Sequence, residues 1–289
     1  MRDKVEAEKM EAEEMDSAMN SCESGVSVKR VAVVTGASKG IGFETAKVLV
    51  EDGYTVYGLS RSRVLLEGIL WKKCDVTDSE SVDRVFSEIL EENRKIDVLV
   101  CNAGIGISGA AEFVSEEDYR LQTDVNFNGA VLCAQAVIPA MRYAGGGKII
   151  FISSLAAIFP LPFQGFYSAT KAALNAFSDS LGIELKPFGI ETCAVMLNDV
   201  KTEFTENRRK TAAGDEVYGG RIEASVSKME KSERNGMTPG QVAESVGRIL
   251  KRRHLPPHKI VGAFNEFLGF LFRILPAGVL MKLLKMIYG

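Results

Sequence analysis

Short apolar runs alternate along the chain with stretches of helical period. Residues 31–35 read Val-Ala-Val-Val-Thr, a continuous apolar run of the length expected for a strand buried on both faces. A helix is predicted over 43–52, with Phe43, Ala46, Leu49 and Val50 on one side and Gly53 placed to end it. Strands are predicted at 54–59 and 69–74, the second more exposed because Lys72 and Lys73 interrupt it. Ser79 is placed to cap a helix over 80–92, where Val82, Val85, Phe86, Ile89 and Leu90 recur at helical spacing. A strand at 97–101, a long helical region at 116–143 in one or two pieces, a Gly145-Gly146-Gly147 turn and a strand at 148–153 follow. A helix from near Tyr167 to Pro187 and a strand at 190–196 complete the rhythm.

Strand then helix, repeated five or six times, implies right-handed crossovers and a parallel sheet covered on both faces. The fold class is therefore α/β: a doubly wound, Rossmann-type sheet with helices on both faces. A closed eight-unit barrel also fits a chain of 289 residues. The glycine cluster after the first strand favours the open sheet.

Residues 1–27 are polar and acidic, without the apolar run of a signal peptide, and are expected to be a flexible extension. Residues 28–289 are expected to be one catalytic domain. Within it, 198–240 is charged and breaks the rhythm, so it is assigned as a substrate loop over the C-terminal sheet edge. Thr238-Pro239-Gly240-Gln241 then starts a helix to about Arg253, with a last strand at 258–261. The tail, 264–289, is apolar and basic. Arg273, Pro276 and Lys282 break it too often for a membrane span. Residues 248–289 hold eight lysines and arginines against one acid, Glu266, a net of +7. Such a tail suits a packed helix lining a pocket or a dimer contact, or a peripheral membrane contact.

Composition narrows the chemistry. A net charge of -3 gives no global attraction to nucleic acid, and none is expected as a partner. Five cysteines at 22, 74, 101, 133 and 193 fit a reduced, cytoplasmic chain better than a disulfide framework. The only histidines, His254 and His258, are separated by Pro256-Pro257 and share no helix face, so no metal site is expected.

Thr35-Gly36-Ala37-Ser38-Lys39-Gly40-Ile41-Gly42 joins a buried strand to a helix. Gly36 lets the chain turn out of the strand. Gly40 and Gly42 clear room where a pyrophosphate approaches backbone and helix approaches sheet. Free N–H groups at the helix start would hold the anion. The second strand ends Leu59-Ser60-Arg61 with no acid to repel a 2'-phosphate. Arg61 and Lys39 are both available for one, which selects NADP(H) over NAD as the expected cofactor. Tyr167 and Lys171, four apart, share a helix face. An ammonium beside a phenol lowers its pKa. Ser153 and Ser154 end the strand before them.

These residues resemble the short-chain dehydrogenase/reductase family, strongly over about 30–200 and loosely beyond. Segment 35–42 matches its cofactor motif. Asp75 matches its adenine-contacting acid, beside Val76, and Cys101-Asn102-Ala103-Gly104 matches the motif after the fourth strand, with Cys101 where the family usually has Asn. The resemblance implies a catalytic set of Asn126, Ser154, Tyr167 and Lys171. It implies a cofactor site of Gly36, Ser38, Lys39, Gly40, Ile41, Gly42, Ser60, Arg61, Asp75, Val76, Asn102, Ala103, Gly104 and Thr202, with Tyr167 and Lys171. Leu197-Asn198 stands where the family has Pro-Gly, and Asn198 is expected to replace the glycine in part by tolerating positive φ. The implied activity is interconversion of a carbonyl and an alcohol. Phe159, Leu161 and Phe163 are expected as pocket wall, pointing to a lipophilic substrate, and the family implies a homodimer or homotetramer. A sugar-nucleotide epimerase and a non-catalytic cofactor-binding scaffold are the alternatives. The first lacks its G-x-x-G-x-x-G loop here.

Overall fold

A computed structural model describes residues 29–63, 67–211 and 213–288. The expected N-terminal extension, with Cys22, lies outside the described residues. Seven strands form one parallel sheet: β1 (Val31–Thr35), β2 (Thr55–Ser60), β3 (Ile69–Lys73), β4 (Val98–Cys101), β6 (Gly147–Ser154), β7 (Ile190–Leu197) and β9 (His258–Ile260). Their order is β3-β2-β1-β4-β6-β7-β9. The sheet is open, so the barrel is excluded, and the lysine-bearing β3 is an edge. The chain winds outward from β1 to β3, then restarts at β4 on the other side of β1. A crevice therefore opens above the C-terminal ends of β1 and β4.

The pleat sends alternate residues to two cores. Val31 and Val33 join α2 (Ser79–Asn93), α4 (Gly129–Tyr143) and α5 (Gly165–Leu185) through Phe86, Ile89, Val137, Met141 and Leu181. Ala32 and Val34 face α1 (Gly40–Glu51) and α7 (Pro239–Leu250) through Ala46, Leu49, Val242 and Val246. Gly53, at φ +83°, ends α1 as expected.

Several boundaries differ for local reasons. Asp78, not Ser79, caps α2: its carboxylate accepts the Glu80 N–H at 3.1 Å. The 116–143 region is α3 (Glu116–Thr123) and α4, joined without a break by a widened π turn at Asp124–Asn128. Thr238 and Gln241 make the expected capping box on α7. That helix ends three residues early, where Lys148 Nζ takes the carbonyls of Leu250 and Arg252 at 3.0 and 2.6 Å.

The 198–240 segment is more ordered than a loop. It contributes β8 (Arg209–Lys210), paired with β5 (Ile107–Ser108), and a 14-residue helix, α6 (Arg221–Arg234). The tail forms α8 (Ala263–Ile274) and α9 (Ala277–Tyr288). Leu275, forced extended before Pro276, separates them. Leu280 and Leu284 pack on Leu155, Phe159, Met196 and Ile260, so α9 is a packed helix. No helix among the described residues is long and apolar enough to cross a membrane.

Candidate active site

The crevice holds a cavity of about 580 Å³. One end is made of backbone. Gly36 turns out of β1 at φ +65°, and a Cβ there would fall 2.9 Å from Ala103 Cα. Asn102 staples the turn, donating Nδ2–H to the carbonyls of Thr35 and Gly36 at 3.0 and 3.2 Å. Thr35 Oγ1 accepts the N–H groups of Asn102 and Ala103 in return. Gly42 does not line the cavity: a Cβ there would lie 2.4 Å from Asn102 Nδ2 and from the Gly36 carbonyl, so its task is close packing. The N-terminus of α1 opens into the cavity with no side-chain cap and no acid in its first turn. Ser38, Lys39, Gly40 (φ +57°) and Ile41 line this end. An uncapped 12-residue helix start on a glycine cradle fits a dinucleotide pyrophosphate.

Ser60, Arg61, Asp75, Val76, Ala103, Gly104 and Thr202 also line the cavity, as does Asn102. The Ser60 hydroxyl is engaged internally, donating to Ser62 O at 2.6 Å and accepting from Trp71 Nε1 at 3.0 Å. It shapes the turn that presents the exposed Arg61. Asp75 is held by Thr77, whose N–H and hydroxyl donate to Oδ1 at 3.0 and 2.8 Å. Lys39 Nζ lies 3.6 Å from Glu203, an exposed pair across the mouth that solvent weakens.

Ser154 ends β6, and Tyr167 and Lys171 stand on the first turns of α5; all three line the cavity. Ser154 stands beside Tyr167, where its hydroxyl favours the phenolate. Lys171 is buried and donates Nζ–H to the Ile152 carbonyl at 2.8 Å. Its Nζ sits 5.8 Å from the centre of the Tyr167 ring. The expectation that this ammonium sets the phenol pKa needs correction. Burial dominates and pushes Tyr167 up to about 12, with the Ser154 hydroxyl opposing it. Burial likewise pulls Lys171 down to about 8. Asn126 lies behind the cavity, in the π turn. Its Oδ1 accepts Ile105 N–H at 2.8 Å, and its Nδ2 donates to Ile105 O at 3.0 Å and Thr170 Oγ1 at 3.4 Å.

The other end is built of side chains from four segments. Phe159 and Leu161 line it as expected. Phe163 does not: at φ +59° it turns away and meets Tyr218 edge-on at 5.6 Å. Asn198, by contrast, does not adopt the expected positive φ. It donates Nδ2–H to Asn265 Oδ1 of α8 at 3.2 Å, tying the 197–202 loop to the tail. The sequence reading missed Gln164, Asp199, Phe204, Met229, Glu233 and Tyr288 as lining residues. It also missed the buried Arg208, paired to Glu233 behind this wall.

Residues 30–213 match the short chain dehydrogenase family. The chain belongs to that family. A 3-ketodihydrosphingosine reductase of Bacteroides thetaiotaomicron is 39% identical to this dehydrogenase over 242 residues, 83% of this chain and 90% of the relative. A short-chain dehydrogenase from Streptomyces avermitilis superposes with TM-score 0.76 at 26% identity, covering 90% of this chain and 98% of that one. An alcohol dehydrogenase from Thermococcus sibiricus, solved with 5-hydroxy-NADP, does so with TM-score 0.66 at 25% identity over 80% and 95%. The protein is an NAD(P)-dependent oxidoreductase acting on a carbonyl or alcohol. In this dehydrogenase, Cys101 is wholly buried at the end of β4, where desolvation raises its thiol pKa far above normal, so it serves packing.

Proposed function

We propose an NADP(H)-dependent reductase of lipophilic ketones, with residues 28–289 as the catalytic unit. The observation carrying this reading is one cavity that joins the uncapped α1 N-terminus to Ser154, Tyr167 and Lys171 and ends against Phe159, Leu161, Met229 and Tyr288. Arg61 supports the choice of NADP(H): it lines the cavity beside the cradle, and no acid ends β2. The reductase named above from Bacteroides acts, by its name, on a long-chain keto compound, which supports the same substrate class here.

When bound, the nicotinamide supplies hydride to the carbonyl carbon. The Ser154 hydroxyl orients the carbonyl oxygen. The Tyr167 phenol, held protonated by burial, donates its Oη proton to that oxygen, and the alcohol forms. Donors fixed around the developing alkoxide stabilise it in a site shielded from water. Lys171 holds a cofactor ribose and, while charged, favours the phenolate that Tyr167 becomes. Asn126 fixes the backbone at Ile105, beside which the proton is resupplied. Assembly as a homodimer or homotetramer through the helices of 116–143 and 168–186 completes the reading; Tyr143 and Ile183 are exposed there.

A panel of long-chain 3-ketones, steroids, retinal and short diketones, followed by NADPH consumption, tests the assignment. The highest kcat/KM is expected for a long-chain or polycyclic ketone. A preference for short diketones would overturn the lipophilic assignment, and turnover of none while NADPH binds would point to a scaffold.

A further inference from the structure

The two C-terminal helices differ on their two sides. Inward, Leu280 and Leu284 close over Phe159 and Met196, and Tyr288 reaches the cavity. Outward, Phe264, Phe267, Phe270 and Ile274 of α8 are 70, 61, 62 and 61% exposed. Their spacing of three, three and four places them on one helix face. Val279, Met281, Met286 and Ile287 of α9 are exposed as well. An apolar surface of this extent marks an interaction site rather than ordinary scatter.

Charge identifies the partner. Arg273, Lys282 and Lys285 are exposed on the same helices. Lys228 of α6 joins them, its Nζ reaching the Ile287 carbonyl at 3.3 Å. Among the described residues, Lys228, Lys282 and Lys285 have no carboxylate within 4 Å. Over β9, α8 and α9, residues 258–289, four lysines and arginines stand against one acid, Glu266, a net of +3 against -3 for the whole chain, so positive charge gathers on this end. A second copy of the same face would bring two such concentrations together, whereas an anionic lipid surface complements both the charge and the aromatic stripe.

We propose that α8 and α9 form a docking surface for an anionic bilayer, laying the roof of the cavity on the membrane. Phe264, Phe267 and Phe270 enter the headgroup boundary, and the lysines hold the lipid phosphates. Docking is read without substrate or cofactor, so it stands or falls separately from the reductase assignment.

The test is flotation of the full chain with phosphatidylglycerol-rich vesicles and with pure phosphatidylcholine vesicles. Association with the anionic vesicles is expected, weakening as salt rises. Lys282→Gln/Lys285→Gln should weaken it about 25-fold, taking roughly fivefold per lysine at an anionic surface. Phe264→Ser/Phe267→Ser/Phe270→Ser should abolish it with the melting temperature retained. Should that variant fail to fold, the lysine pair carries the test. No flotation of the wild type, or equal flotation with neutral vesicles, would overturn the proposal. So would a dimer in sedimentation that the triple variant dissolves, since a second copy would then cover the face.

Discussion

The two ends of the cavity are built on different principles. At the cofactor end the chain uses backbone: glycines whose Cβ atoms would collide with Ala103 or Asn102, one helix start, and an asparagine stapling two turns. At the substrate end it uses side chains, brought from the 159–164 loop, the 197–207 loop, α6 and α9. The first end has little freedom to vary without losing its shape. The second can change one wall at a time. One scaffold can thus hold a constant cofactor while the substrate changes.

Substitutions at the two ends should behave unlike one another. The largest effect is expected at Gly42→Ala, where the new methyl must displace Asn102 or the Gly36 carbonyl. NADPH binding, followed by cofactor fluorescence, should be lost, and the fold should weaken by about 1–3 kcal/mol. Leu161→Ala, at the other end, should leave NADPH affinity unchanged and alter only the ketone KM. Matching losses of cofactor affinity would erase the distinction between the ends. Next in size, Arg61→Asp should cut the preference for NADPH over NADH by about 10- to 100-fold, the worth of one or two charge-assisted bonds. An unchanged ratio would remove Arg61 from cofactor choice.

A pH profile sharpens the account of the centre. Lys171 has its pKa lowered by burial to about 8, so its charge is present below that pH and lost above it. Reductive kcat/KM of the free enzyme should be flat on the acid side and fall about tenfold per unit above the break. Tyr167 stays protonated throughout this window. A profile without a break near 8 would mean that the Lys171 charge plays no part. The smallest effect is expected for Asn265→Ala, which removes the acceptor of Asn198. A two- to fivefold rise in ketone KM and a loss of about 1 kcal/mol in stability should follow.

Legibility from sequence followed the same division. The sheet, the cradle and the Tyr167–Lys171 pair could be read because apolar runs, glycines and helical spacing are local patterns. The substrate end depends on contacts between distant segments. Helix α6 is hard to read because its buried Ile222, Val226 and Met229 are separated by charge, although they fall at helical spacing. Tyr288 lines the cavity more than a hundred residues after Tyr167, and nothing local announces it. The turn of Phe163 away from the cavity depends on Tyr218 in another segment. Asn198 could be flagged as an unusual residue in its loop, but its partner Asn265 could be found only in three dimensions. The phenol pKa is hidden in the sequence for a related reason: burial depends on every neighbour, whereas Lys171 is visible four residues away.

The claim on which the chemistry rests is that the Tyr167 Oη proton goes to the substrate oxygen. Tyr167→Phe, assayed for NADPH consumption with the best long-chain ketone and for NADPH binding in the same preparation, tests it most directly. The account predicts a loss of turnover of about 10²- to 10⁴-fold with cofactor affinity retained. Turnover close to that of the wild type would contradict it.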